Sequence, residues 1–551
     1  MTIRENSRTT PGLALTFVAM VALPIGLQWV TPATVVIPIV TAVLALVLSR
    51  LMPGASSHAF LRIWIGSAIV RWLALVAAVV AQRSLGTVVL GGDGQQYLSR
   101  ALYLAASGFS LDVSPIVEFG TYDVGPYYYF ATVIGGLGQN LIALQMTNAA
   151  VSSLVPPLTY AMAHRLVPRH AMWIGIVLAL YPTAMVFAVL DLLKDPSVVL
   201  ATVTAFCAIV YLIEDDAILA PGRRATLLFL ILASLSYLHL SRYYSMLFLG
   251  LAMLVSVGFL VAWRRARPRR ALMQVAVVWV LAEGIFLPFG WPPSPAMLSS
   301  SAQSVLDAAD IAHRATDVQG ADEPLTSPTP RRRPGIVARE RALPQLSESL
   351  RIAGGGRSDA GDGAVVSPST GLHTRDGSRN VGMKGAAPTA VKVETVAYQA
   401  LPEQSGVKGR VIDVSRKLLG PFVWVLPPDL SLRTVMVGDY LLYPGMILWY
   451  IAWPFMIVGV VWTSILTVRG RAPLMLGCLA VFAGLYLALY VGVNLSFRQR
   501  DALLPFLLIL AAGGYDVIRD WRAWPWGYGV YWLGLVGLAA AHLVARARLA
   551  P

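Results

Sequence analysis

Long apolar runs alternate with short polar connections along most of the chain. A run of about 20 apolar residues is long enough to cross a bilayer as an α-helix. A transmembrane β-barrel would show alternating segments of about ten residues, and the sequence lacks that pattern. We therefore predict an all-α polytopic membrane protein with about 13 spans, at residues 11–30, 33–49, 59–82, 139–163, 170–190, 195–214, 224–241, 243–263, 271–290, 438–465, 472–494, 501–519 and 525–545.

Composition favours the same class. Hydrophobic residues make up 56% of the 551 residues and charged residues 13%, whereas roughly a quarter of the residues in soluble domains are charged. In a soluble protein the net charge of +14 would suggest nucleic acid. Arginines at membrane edges explain it here, so we expect the lipid bilayer and no nucleic acid as partner. Cys207 and Cys478 lie in apolar runs and are expected in the core.

Arginines in the short loops predict the orientation of the spans. The strongest anchor is the cluster RRARPRR at 264–270, which we expect in the cytoplasm. The long loops at 83–138 and 291–437 then lie outside, and only the C-terminal Arg546 and Arg548 argue against this orientation. We expect a multi-pass protein of the inner (cytoplasmic) membrane whose functional site faces the extracytoplasmic side.

The two long loops differ in composition. The first is expected to form two short interfacial helices, in GGDGQQYLSRALYLAASG and TYDVGPYYYFATVIGGLG, because tyrosines favour that depth. In the second, residues 318–380 are rich in Gly, Ser, Pro and Asp, which predicts little fixed structure. Residues 389–437 regain apolar content and are expected to return to the membrane surface. We divide the chain into regions 1–58, 59–290, 291–437 and 438–551.

Acidic residues stand at two predicted outer turns. Asp93 follows two glycines, and it suits the N-cap of a helix that begins near Gln95. Asp191 and Asp195 are four residues apart, so they would share a face of a continuous helix, and Lys194 lies between them. Pro196 after Asp195 is typical of an N-cap followed by the first helical residue, so Asp195 is either a cap or functional. Charges in so short a loop between apolar spans are costly without partners.

Cations stand at two further outer turns. His239 and Arg242 lie in YLHLSRYYS at 237–245 and form either an interfacial belt or a contact to phosphate or sugar. Arg498 and Arg500 lie in NLSFRQRDALLPF at 494–506, on the predicted outer side, although arginines generally favour cytoplasmic loops. Arginine presents a donor fork that suits phosphate oxygens, although a snorkelling anchor is the alternative.

Two charges fall inside predicted spans, Arg71 and Glu283. Intramembrane charges usually face a cavity or one another, so a pair between them stays open at this point. The sequence has no metal-ligand cluster, no Walker motif and no nucleophile elbow.

The order of these segments resembles the GT-C superfamily of integral membrane glycosyltransferases, particularly its bacterial protein-mannosyltransferase and aminoarabinose-transferase-like branch. The resemblance rests on GGDGQQYL, GPYYYF, YPTAMVFAVLDLLKD and FRQRDALLPFLLILAAGG. It covers residues 59–290, which would be the catalytic transmembrane module, and more loosely 438–515. It implies a GT-C-like helical bundle that moves a sugar from a polyprenyl-phosphate donor to a glycan, lipid or protein acceptor at the outer face.

The resemblance also implies roles for individual residues. Asp93 corresponds to the catalytic acid of the first loop and Asp195, less directly Asp191, to the acid of the second. Arg498 or Arg500 corresponds to the late arginine that grips the carrier phosphate. Many relatives have a second acid where this chain has Gly94. The resemblance therefore implies no definite cofactor and leaves open whether the enzyme needs a divalent cation. The predicted catalytic residues are thus Asp93 and Asp195, and the predicted substrate contacts are Lys194, Asp191, His239, Arg242, Arg498, Arg500 and Tyr97.

Three other functions are kept open. A polysaccharide polymerase or ligase that uses diphosphate-linked glycans would also place outer arginines near lipid phosphate. A lipid-carrier flippase or transporter would account for the intramembrane charges Arg71 and Glu283. A scaffold without catalysis would bind partners through the loop at 291–437.

Overall fold

The computed structural model describes residues 32–52, 55–85, 92–109, 124–182, 189, 192–215, 219–262, 269–286, 437–469, 473–493, 502–521 and 524–549. Within these ranges every regular element is an α-helix. The helices are α1 (Pro32–Leu51), α2 (Ser57–Leu85), α3 (Gly92–Ala106), α4 (Val124–Leu137), α5 (Leu141–Ser153), α6 (Val155–Leu166), α7 (Ala171–Leu180), α8 (Asp195–Glu214), α9 (Pro221–Ser241), α10 (Tyr243–Ala262), α11 (Arg269–Phe286), α12 (Val437–Val468), α13 (Leu474–Val493), α14 (Leu504–Arg519) and α15 (Trp524–Leu549).

The chain is a multi-pass helical membrane protein. Within the described ranges, six stretches are long and apolar enough to cross a membrane: α1, α2, the consecutive α5 and α6, α8, α9 and α12. Each predicted span from 33–49 onward overlaps a helix. The first predicted span, at 11–30, lies outside the described residues, as does the loop at 291–436 with both of its expected segments.

Helix α8 forms the centre of the bundle. Its most apolar stretch is 89% buried within the protein, compared with 28% for α12. Helices α5, α6, α9 and α11 pack around α8. A helix this enclosed contacts little lipid, so polar groups at its ends face protein. Cys207 of α8 and Cys478 of α13 are both buried, which confirms their expected place in the core.

Proline interrupts the helix in two of the predicted spans. The span predicted at 139–163 is divided at Leu154 into α5 and α6, because Pro156 and Pro157 lack the N–H groups that a continuous helix needs. The span predicted at 170–190 contains α7, which ends at Leu180. Tyr181 is extended, as expected for a residue before a proline.

Two glycines bring α12 and α14 into backbone contact. A Cβ at Gly459 would collide with the backbone of Leu510, and a Cβ at Gly514 would collide with the backbone of Phe455. Small residues at such crossings allow membrane helices to approach closely and to gain van der Waals contact. The contact fixes the C-terminal helices against each other.

The first long loop contains the two helices that the sequence predicts, α3 and α4, packed against each other. They share a separate apolar cluster that includes Tyr97, Tyr127 and Phe130. Leu192, three residues before α8, belongs to the same cluster. The α3–α4 pair is therefore anchored beside the start of α8.

The two ends of the bundle carry different groups. We call the end where α8 begins and α9 ends the Asp195 end, and the opposite end, where α6 and α8 end, the Arg165 end. At the Arg165 end, Arg165 pairs with Asp215 at 2.7 Å. Arg223 donates to the carbonyl of Arg50, at 2.8 Å. This is the end at which the arginine bias predicts the cytoplasm.

Candidate functional site

A buried ion pair lies at the start of α8. Asp195 is the first residue of that helix, and Arg242 follows the last residue of α9. Arg242 Nη2 donates to Asp195 Oδ1 at 2.5 Å, and the two side chains are 2% and 10% exposed. Arg242 Nη1 also donates to the hydroxyl of Tyr486, at 3.3 Å. The pair therefore joins α8, α9 and α13 at the Asp195 end.

The geometry corrects the interpretation of Asp195 as an N-cap. The N-cap of α8 is Lys194, and it makes no side-chain capping hydrogen bond. Asp195 lies one residue further on, where its carboxylate reaches Arg242. Leu192 and Leu193 are not helical, so Asp191 and Asp195 do not lie on one continuous helix. The carboxylate of Asp195 is therefore held by a cation from another helix.

Lys194 places a second cation beside this pair. Its side chain is half-buried, and Nζ donates to the carbonyl of Ser241 at 3.3 Å. The side chain of Ser197, in the first turn of α8, bonds the carbonyl of Lys194 and lies 2.5 Å from the Tyr237 hydroxyl. The first turn of α8 thus lies against the last turn of α9, with Lys194 and Arg242 both at this junction.

A second contact between ionisable side chains lies at the same end of α9. His239 Nδ1 is 3.2 Å from Glu283 Oε2, and the side chains are 0% and 16% exposed. The ring of Tyr243 meets the imidazole edge-on, with centroids 5.2 Å apart. The interpretation of His239 and Arg242 as an interfacial belt is therefore wrong, because both side chains are buried in the protein, His239 beside Glu283 and Arg242 in an ion pair with Asp195.

Helix α3, which carries Asp93, packs next to this end. Asp93 lies in the first turn of α3, because the helix begins at Gly92 rather than near Gln95. Its side chain is outside the described part of the structure. Tyr97 is buried one turn later, with its ring 5.6 Å from the ring of Tyr127. Its contacts are therefore with α4, and its predicted role at the substrate stays a prediction.

Helix α4 connects α3 to the ion pair. A Cβ at Gly125 would collide with Ser241 Oγ, so the start of α4 lies directly against the end of α9. Ser241 precedes Arg242 and accepts from Lys194. Only glycine permits this approach, and it brings the predicted first-loop and second-loop elements to one end of the bundle.

Three of the predicted site residues, Asp191, Arg498 and Arg500, lie outside the described residues. Both arginines belong to the connection between α13 and α14. Tyr486 of α13 contacts Arg242, as described above. The roles predicted for these three residues stay predictions.

The intramembrane charges Arg71 and Glu283 are not paired with each other. Arg71 Nε donates to Ser152 Oγ at 2.8 Å, and Nη1 donates to the hydroxyl of Ser67 at 2.6 Å. Nη1 also reaches the carbonyl of Ala179, at 3.1 Å, near the C-terminus of α7. Arg71 thus bonds a helix end that would otherwise leave carbonyls unsatisfied inside the bundle.

The sequence analysis missed a polar face on α5. Asn148 Nδ2 donates to the carbonyl of Leu193, at 3.0 Å, and Asn148 Oδ1 lies 3.4 Å from the Tyr129 hydroxyl. Gln145 lies one turn earlier and is buried. The signal was present, because Gln145, Asn148 and Ser152 have helical spacing within an apolar span.

Among the described residues, no group of three or more His, Cys, Asp or Glu side chains could hold a metal ion. No protein-family model, curated protein or solved structure matches this chain. The case for a function therefore depends on the residues themselves.

Proposed function

We propose that this chain is a membrane glycosyltransferase of the GT-C type, which moves a sugar from a polyprenyl-phosphate donor to an acceptor at the outer face. The observation that supports it most is the buried Asp195–Arg242 pair, with Lys194 beside it and α3 packed next to it. Ionisable residues within a membrane bundle are expensive and commonly mark functional sites.

The chemistry of the transfer calls for a base and a cationic site. The acceptor hydroxyl gives its proton to a carboxylate, for which we propose Asp93. The acceptor oxygen then bonds to the anomeric carbon, and the bond from that carbon to the phosphate oxygen breaks. The polyprenyl phosphate leaves with the bonding electrons, and nearby cations stabilise the charge that develops on it.

Lys194 is the described residue best suited to the phosphate. It is half-buried at the N-terminus of α8, where backbone N–H groups and the helix dipole favour an anion. Arg242 is held by Asp195, so we assign it the role of fixing the α8–α9 junction. Arg498 and Arg500 complete the proposed cationic site.

Two finer features belong to this proposal. We propose a GT-C-like bundle of about 13 spans in the inner membrane, with the Asp195 end facing outward. The donor reaches this end laterally from the bilayer, and the acceptor is a glycan, a lipid or a protein. A divalent cation is neither required nor excluded by the proposed step.

The contacts of the two intramembrane charges remove the main argument for a flippase or transporter. Arg71 and Glu283 suggested it, but Arg71 bonds the end of α7 and Glu283 pairs with His239. Both charges therefore have local partners among the described helices.

The test is transfer by the purified full-length protein in detergent. Membranes or extracts supply the acceptor, and the donors are polyprenyl monophosphates that carry mannose, glucose, galactose or arabinose, with matching diphosphates as competitors. We expect transfer from a monophosphate donor and a loss of at least 100-fold in Asp93→Asn, since general bases contribute about that much or more. Asp516 of α14 lies at the Arg165 end, 3.0 Å from His170 at the start of α7, so Asp516→Asn is the matched control and should keep its activity.

Two results would contradict the proposal. Transfer from diphosphate donors alone would assign the polymerase or ligase function. An Asp93→Asn protein as active as the unmodified chain would remove Asp93 from the mechanism.

A further inference from the structure

Gln145 is a buried polar group without a partner. Its side chain is 1% exposed, and neither Oε1 nor Nε2 forms a hydrogen bond with any part of the chain that the structure describes. Burial of an amide without hydrogen bonds costs free energy, which proteins usually avoid. An orphaned amide in a bundle interior therefore calls for an explanation by function.

The surroundings of Gln145 lead to the Asp195 end. Asn148 lies three residues further along α5, on the same face, and its amide holds the carbonyl of Leu193 just before α8. Tyr129 of α4 lies against the same Asn148 side chain. Gln145 thus belongs to the face of α5 that meets α4 and the start of α8.

The neighbouring polar groups on this face already have partners. Asn148 bonds Leu193 and lies near Tyr129, and Ser152 accepts from Arg71 Nε. In contrast, Gln145 retains one acceptor and two donor hydrogens. Gln145, Asn148 and Ser152 form one face of α5. Of these three side chains, only that of Gln145 has no hydrogen-bond partner among the described residues.

We propose that Gln145 binds a hydroxyl group of the donor sugar and helps to select that sugar. A hydroxyl both donates and accepts hydrogen bonds, and so does a carboxamide. A neutral amide is less suited than a cation to the phosphate, to which we have assigned Lys194. This inference rests on the proposed function, and it names the residue that distinguishes one sugar from another.

The decisive variant is Gln145→Met, which keeps the size of the side chain and removes its hydrogen bonds. We expect kcat/KM for the best monophosphate donor to fall about tenfold, as for the loss of one or two hydrogen bonds. The same variant should resist thermal unfolding at least as well as the unmodified protein when no lipid is bound, because it removes an unsatisfied buried group.

Deoxysugar donors test the contact itself. One monodeoxy analogue should be about tenfold poorer than the parent sugar for the unmodified protein and equal to it for Gln145→Met, because the same hydrogen bond cannot be lost twice. Ser153→Ala is the matched control on α5. Ser153 is buried too, but its hydroxyl bonds the carbonyl of Ala150 in its own helix.

Two results would overturn the inference. In one, Gln145→Met discriminates among all monodeoxy donors as the unmodified protein does. In the other, Gln145→Met unfolds at a clearly lower temperature without lipid, which would make Gln145 a structural residue.

Lipid binding separates this inference from the proposed function. Thermal stabilisation by polyprenyl phosphate is compared with stabilisation by the sugar-bearing forms. If sugar-bearing lipids stabilise the unmodified protein more, and Gln145→Met loses that difference, the inference stands even if no transfer occurs and the enzyme proposal fails. If the sugar makes no difference to the unmodified protein, the inference fails.

Discussion

The two ends of the bundle both carry ion pairs, but the pairs differ in their contact with solvent. At the Asp195 end the side chains of Arg242 and Asp195 are 2% and 10% exposed, and His239 is fully buried. At the Arg165 end, Arg165 and Asp215 are 24% and 5% exposed, and His170 and Asp516 are 19% and 37% exposed. Between the two arginine–aspartate pairs it is thus the arginine whose exposure differs. The same kinds of residue therefore work in different surroundings.

This difference indicates different reasons for keeping the charges. A buried pair must offset the removal of both ions from water, so it is weak evidence for stability and is often replaceable by apolar residues. A pair near the surface costs little and contributes little. Under the proposed function, Lys194 at the Asp195 end binds phosphate and the Asp195–Arg242 pair fixes the α8–α9 junction, whereas the charges of the Arg165 end serve orientation and modest stabilisation.

The largest expected effect is that of Arg242→Gln. It leaves the Asp195 carboxylate buried without its cation, so we expect the free energy of unfolding to fall by about 3–5 kcal/mol. Sugar transfer should also be lost, because the α8–α9 junction positions Lys194. Denaturant unfolding of the detergent-solubilised protein and the transfer assay measure the two effects.

A double variant tests whether the pair serves function rather than stability. Arg242→Met combined with Asp195→Leu removes both charges, and we expect it to recover most of the stability that Arg242→Gln loses. It should not recover transfer, because apolar side chains lack the hydrogen bonds to Asp195 and Tyr486 by which Arg242 fixes the junction that positions Lys194. Full activity in a stable double variant would show that the pair is dispensable for the reaction.

The helical membrane class was predictable from sequence, whereas the ion pairs were not. Apolar runs report membrane helices directly, which is why each predicted span from 33–49 onward overlaps a described helix and six stretches of the described residues are long and apolar enough to cross a membrane. The shortening of α7 could have been foreseen from Pro182, since it disfavours helix at Tyr181. Both Asp195 and His239 find their partners more than 40 residues away along the chain, and such pairing depends on tertiary packing that local patterns do not carry.

For the candidate site, the sequence predicted elements better than contacts. Asp195, Lys194, His239 and Arg242 were expected to be functional, and the structure brings them to one end of the bundle. The sequence did not reveal that Arg242 would pair with Asp195. Gln145 was missed although its spacing with Asn148 and Ser152 marks a polar helix face, and only the structure shows that its amide has no hydrogen-bond partner in the described surroundings.

A smaller effect is expected for Arg165→Gln at the opposite end. The substitution removes the ion pair of Arg165 with Asp215 and the contact of its guanidinium group over the ring of Tyr211. Because the arginine is partly exposed, we expect a fall of about 1–2 kcal/mol in the free energy of unfolding. Sugar transfer should stay unchanged. A loss as large as that of Arg242→Gln would contradict the contrast between the ends.

The pH dependence of that loss has a defined sign. Burial raises the pKa of the Asp215 carboxyl, and the guanidinium groups of Arg165 and Arg223 oppose the rise. Removal of Arg165 should raise the pKa further in the folded state. Below the unfolded-state pKa of about 3.9, Asp215 is neutral in the unmodified protein and in Arg165→Gln, so the loss of the ion pair costs no stability there. The electrostatic part of the stability loss in Arg165→Gln then grows as the pH rises through the folded-state pKa. Thermal unfolding across this range measures it.

The smallest effect is expected for His170→Asn. His170 Nε2 lies 3.0 Å from Asp516 Oδ1 at a partly exposed site, where an ion pair between a protonated imidazole and a carboxylate contributes about 0–1 kcal/mol. Since salt screens exposed charges, any loss should shrink between low salt and 0.5 M NaCl, whereas the loss in Arg242→Gln should hardly change. Equal salt sensitivity at both ends would mean that water reaches the Asp195–Arg242 pair, and the distinction between a buried functional end and a solvated end would then fail.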